Sequence, residues 1–163
     1  MNTGQSLFSI GALLLLSLTI LRVNNSILIT DSIMQDSKLG VLATSVATSI
    51  MEEANKKAFD ENSVNDAVLD LSALTSSGSL GPNNGESPGT YDDFDDYNGY
   101  TKKDTVNTID FKIVCDVTYI DPDNIDGLSI QKTWHKKMNV TITSSFLNHA
   151  LTFSCVYSYW HFR

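Results

Sequence analysis

Leu7-Phe8-Ser9-Ile10-Gly11-Ala12-Leu13-Leu14-Leu15-Leu16-Ser17-Leu18-Thr19-Ile20-Leu21 is fifteen residues without a charge, and its reading decides the fold. Counted from Gln5 to Val23, the segment approaches the roughly 20 residues that cross a hydrocarbon core. Ahead of it MNTGQS carries no Lys or Arg, and Arg22-Val23-Asn24 follows it. A cleavable secretory signal has a basic leading region and a small-residue cleavage site after its core. Neither is present here.

The apolar pattern does not stop at Arg22. Ile27, Leu28, Ile33, Met34, Leu39, Val41, Leu42, Val46, Ile50 and Met51 continue it near helical spacing, with Ala43, Ala47 and Ala54 between them. The first proline is Pro82, so nothing forces a break. Glu52 and Glu53 precede Lys56 and Lys57 by four residues, the favourable order for helical ion pairs. The pattern predicts one helix from Gln5 to about Phe59, roughly 80 Å at 1.5 Å per residue. The residues after it are too few to bury such a helix. Leu7, Phe8, Ile10, Leu13, Leu14, Leu16, Leu18, Ile20 and Leu21 must therefore find partners in lipid or in copies of the chain.

The C-terminal part reads differently. Ile109, Phe111, Ile113, Cys115, Val117 and Tyr119 alternate with polar residues, as do Met138, Val140 and Ile142, and Leu151, Phe153, Cys155, Tyr157 and Tyr159. Period two predicts three half-buried strands, and short connections favour an antiparallel meander. Asp121 to Gly127 reads as a loop. The expected class is α+β: a helix over 5–59 (5–23 in membrane or filament core), a polar loop region over 60–107, and a sheet over 108–163. The helix's second half is expected to cover the sheet's apolar face. Cys115 and Cys155 both fall on the inward set. Outside the cytoplasm they would form a disulfide, and in a reducing compartment two buried thiols.

Nineteen acidic against eleven basic residues give a formal charge of −8, which a phosphate backbone would repel. Nucleic acid is not an expected partner. No HExxH, GxSxG, Walker A or GxGxxG spacing occurs, so neither enzymatic chemistry nor a required cofactor is expected. His149 and His161 are expected at the surface, and Lys136 and Lys137 at a solvated strand end. Trp134, Trp160, Tyr157 and Tyr159 could form a binding patch, but aromatics in strands more often pack in the core or across strands. The acidic segment Tyr91-Asp92-Asp93-Phe94-Asp95-Asp96-Tyr97-Asn98-Gly99-Tyr100 has two readings. Asp92, Asp93, Asp95, Asp96 and Asn98 could ligate Ca2+ as hard oxygen donors, though not with EF-hand spacing. Alternatively the segment is a solvated turn whose aspartates cap backbone amides.

Three features in order resemble one family. Gly4-Gln5-Ser6-Leu7-Phe8-Ser9-Ile10 with the apolar run resembles the leader site of type IV prepilins and pseudopilins. The segment DDFDDYNG resembles one found in minor pilin-like proteins of the MSHA-biogenesis type. Lys136-Lys137-Met138-Asn139-Val140-Thr141-Ile142-Thr143 is similar to the strand that follows it there. The resemblance implies cleavage between Gly4 and Gln5 and a helix that leaves the inner membrane for a filament core. It also implies self-association aided by pilus assembly machinery, with an extracellular filament as product. Ser9 stands where the family usually carries Glu, and the leader MNTG has no basic residue. A minor or tip pseudopilin of a periplasmic pseudopilus is the nearest alternative. A membrane-tethered binding module that never polymerises is the alternative from another class.

Overall fold

The computed structural model describes residues 3–159, which fall into two compact units, Met1–Leu39 and Gly40–Arg163. Met1 and Asn2 of the expected leader, Trp160 and His161 lie outside the described residues. One helix, α1 (Thr3–Ala54), supplies the first unit and begins the second.

From Leu7 to Leu21 α1 carries no charge and is apolar on every side, and several of the first unit's hydroxyls turn back onto the helix. Ser9 Oγ donates to Gln5 O at 3.0 Å, Thr19 Oγ1 to Leu16 O at 2.7 Å, and Thr30 Oγ1 to Ser26 O at 2.8 Å. A hydroxyl satisfied by its own helix carries no unmet hydrogen bond into an apolar medium. In the second unit Ala43, Ala47, Ile50 and Ala54 are buried at helical spacing. Small side chains on that face allow close approach to the sheet.

The helix ends at Ala54, short of the expected Phe59. Lys56 N and Lys57 N bond to Glu53 O and Ala54 O, three residues back, which tightens the last turn. Ala58 then leaves the helix to pair with the acidic segment. Its N–H donates to Asp92 O at 3.0 Å, and its carbonyl accepts from Phe94 N at 2.9 Å. A strand-like bridge thus outcompetes one further helical turn.

The sheet contains β1 (Thr101–Val106), β2 (Ile109–Asp121), β3 (Asn124–Leu128), β4 (His135–Thr143) and β5 (Leu151–Ser158). The order is β1-β2-β4-β5, with β3 paired to the end of β2 and every pair antiparallel. The three expected strands form as a meander within an α+β fold. β1 and β3 correct the expectation of loops at 101–106 and 124–128. The core is the inward face of β2 and β4: Phe111, Ile113, Cys115, Val117, Tyr119, Met138, Val140 and Ile142, all at most 1% exposed. Fully burying such a large apolar side chain stabilises the fold by about 1.5–3 kcal/mol.

The disulfide expected between Cys115 and Cys155 is not formed, and both thiols are free. The reason is topological. Cys115 on β2 pairs with Val140 and Cys155 on β5 pairs with Met138, so β4 lies between them. Two strand spacings of about 4.8 Å exceed the Cα separation of about 7 Å that a disulfide tolerates. Burial pushes the Cys115 thiol up to about 12.

Candidate assembly helix and buried ionic hub

The nine apolar residues expected to drive assembly are all exposed, between 56% for Leu16 and 81% for Phe8. The exposed apolar surface continues through Val23, Ile27, Leu28, Ile29, Ile33 and Met34. Among the described residues α1 is the one helix long and apolar enough to cross a membrane. Gly4 and Gln5, the expected processing pair, lie exposed in its first turn. A helix apolar on all sides demands an apolar environment on all sides.

The acidic segment keeps the backbone capping of the second expectation but not its solvation. Asp93, Asp95 and Asp96 are each 1% exposed, so the turn is buried rather than solvated. Asp96 Oδ2 accepts from the N–H of Asp92 at 3.0 Å and of Asp93 at 3.3 Å, and Asp93 Oδ1 accepts from Asp96 N at 3.0 Å. Asn98 bridges outward: its Nδ2 donates to Leu80 O at 2.9 Å and its Oδ1 accepts from Val117 N at 3.0 Å. Of the five expected calcium ligands, Asp92, Asp93 and Asp96 bring oxygens within 4.8 Å of one another. Asp95 and Asn98 are directed to other partners.

Asp95 belongs to a hub that sequence reasoning missed. Lys136, expected at a solvated strand end, is fully buried. Its three donors are all used, by Phe59 O at 2.8 Å, Asp60 Oδ2 at 2.9 Å and Asp95 Oδ1 at 2.5 Å. The ammonium also lies 4.5 Å from the Phe59 ring centre and 5.2 Å from that of Tyr119. Asp60 is saturated as well. It accepts from Asn62 N and Thr75 N, and from Thr75 Oγ1 at 3.0 Å. Tyr119 Oη donates to Thr75 O at 2.8 Å beside it. The hub therefore ties the chain after α1, the loop at Thr75 and the acidic segment onto β2 and β4.

Electrostatics follow from this crowding. Burial raises the Asp60 carboxyl, but the Lys136 ammonium and the amides of Thr75 and Asn62 outweigh it and leave the net shift downward. Asp93 makes no ion pair among the described residues, and the Lys136 ammonium offsets its surroundings only in part. Burial, then the Asp95 and Asp96 carboxylates, push it up to about 9. Burial likewise raises Asp96 to about 6. Burial raises Asp95 as well, against the opposing pull of the Lys136 ammonium. A second acidic grouping, Glu61, Glu86 and Asp92, had no sequence signal because its members are scattered along the loop.

The aromatic residues pack as expected. Tyr157 and Tyr159 are buried, Phe59 lies 5.7 Å and 5.4 Å from them, and Trp134 stacks on Tyr159 at 5.2 Å. His149 is exposed, and His135 Nδ1 lies 2.7 Å from Ser158 Oγ. Comparison of the chain with protein families, curated proteins and solved structures finds no match.

Proposed function

We propose that this protein is a structural subunit of a type IV pilus-like filament that polymerises through α1. The observation that carries this reading is how far the exposed apolar surface extends. A bilayer tether needs about 20 residues, and Leu7 to Val23 nearly supplies them. Ile27, Ile33 and Met34 lie beyond that span, yet they are 59%, 60% and 47% exposed. A monomeric tether leaves that surface in water. A bundle of parallel copies buries it.

Two further features support the same reading. The hydroxyls of Ser6, Ser9, Thr19, Thr30 and Ser37 are satisfied within α1, which lowers the polar demand of passing from lipid to a protein core. The second unit has its own core and ionic hub, as a domain displayed on a filament requires. The subunit would reside in the inner membrane before assembly and at the cell surface after it.

Negative-stain microscopy of material sheared from cells, with mass spectrometry of the fibres, tests the proposal. Fibres containing this chain as a repeating component are expected. Recovery of the chain only as monomer in the membrane fraction would favour the non-polymerising tether.

A further inference from the structure

The first unit contains a charge arrangement that self-association must resolve. Residues 3–35 hold one cation, Arg22, and one anion, Asp31. Both are exposed, and neither has an ion pair or hydrogen bond within the described chain. Thr19, Asn25 and Ser26 flank Arg22, and Asn24, Gln35 and Lys38 flank Asp31, but apolar residues share both faces. Leu15, Leu18 and Ile29 share the Arg22 face, and Ile27, Leu28 and Met34 share the Asp31 face, all six exposed. Any partner that covers these leucines and isoleucines also covers the charges. An uncompensated buried charge costs several kcal/mol.

The two charges cannot neutralise each other within one helix. Nine residues at 100° each place them on opposite faces, separated along the axis by about 13.5 Å. Opposite faces with opposite charges are complementary between copies. The geometry points to an inter-subunit ion pair in which Arg22 of one copy meets Asp31 of the next, setting an axial stagger of about 13.5 Å between neighbouring helices. This inference rests on the filament reading and gives it a register.

The symmetry follows. A contact between two different faces is heterologous, so each copy still offers a free Arg22 face at one side and a free Asp31 face at the other. A contact with a net axial rise cannot close into a ring. It continues as an open helical array. Of the remaining charges of this unit, at 100° per residue Lys38 falls on the Asp31 face about 10.5 Å further along the axis and Asp36 on the Arg22 face about 21 Å further along it, each opposite in sign to the charge it shares a face with.

The test uses full-length chain polymerised from detergent, with the critical concentration read by sedimentation. Arg22→Asp alone and Asp31→Arg alone should each raise it by roughly a hundredfold or more, because each leaves like charges facing across the contact. Two complementations should restore assembly to within about tenfold of wild type. One is the double variant Arg22→Asp/Asp31→Arg. The other is an equimolar mixture of the two single variants, in which every contact again joins Asp to Arg. Mixing rescue cannot arise from a folding defect in either chain. Wild-type polymers with single variants that assemble normally, or with no rescue on mixing, would overturn the pairing and leave the filament reading standing. Absence of polymer from the wild type would overturn both.

Discussion

Lys136 shows how one side chain can organise a small domain. Its ammonium is fully desolvated, and two carboxylates, a carbonyl and two aromatic rings replace its water. Removing one partner from such a cluster is costly because the others stay buried and charged. Lys136→Met should destabilise the second unit by about 3–5 kcal/mol. Lys102→Met should change stability by at most about 1 kcal/mol, because the Lys102–Asp104 pair is exposed. Denaturant titration checks both, and equal effects would contradict the hub. Asp93 sets the pH response. With its pKa raised from 3.8 to about 9, the folded chain binds a proton that the unfolded chain has released. That contribution is complete below pH 4 and is lost as pH rises towards 9. Asp96 acts in the same sense up to about pH 6. Asp60 acts in the opposite sense, losing its contribution as pH falls below 3.8. The melting temperature should therefore fall between pH 6 and pH 9. Asp93→Asn keeps the acceptor for Asp96 N and should flatten that fall, exceeding wild type at pH 9 by about 1 kcal/mol or more. A wild-type melting temperature level across this range would contradict the assignment.

At the scale of elements, the β1–β2 hairpin turns through Asn107 and Thr108 at φ of 50° and 69°. Asn tolerates the left-handed region, but a β-branched Thr does not. Thr108→Gly should stabilise the domain by about 1 kcal/mol, read as a raised midpoint at constant slope. Destabilisation would mean that the Thr108 hydroxyl outweighs its strain. The same elements mark what the sequence made legible. β2, β4 and β5 were readable because each buries one face and so alternates. β1 was not, since Thr101 to Lys103 are all exposed at a sheet edge, where no alternation is imposed. The end of α1 was misplaced because Ala58 is claimed by a strand-like bridge to Asp93, 35 residues further on. Lys136 was misread because the alternation of β4 extends two residues further back than its apolar members. Its carboxylate partners lie 76 and 41 residues away, beyond any local pattern. The intervening β4 also makes a clear prediction for the thiols. Intact mass and alkylation without reductant should find Cys115 and Cys155 both free, with Cys115 reacting only on unfolding. A mass lower by two hydrogens would contradict the strand order.

At the scale of the molecule, the chain joins two kinds of surface with opposite solvent demands. The second unit buries a core of apolar residues on its own sheet. The first exposes nearly all of its apolar residues and bonds several of its hydroxyls back onto the helix. Only an environment outside the monomer satisfies the latter, and the filament reading names that environment as lipid first and other copies afterwards. The most direct measurement follows detergent removal from the full chain, beside a chain lacking residues 1–23, by sedimentation and electron microscopy. The full chain should form uniform fibres, while the shortened chain remains a folded monomer. Fibres from the shortened chain would contradict assembly driven by residues 3–23 of α1, and a full-length chain that stays monomeric in lipid at every concentration would contradict assembly through α1 altogether.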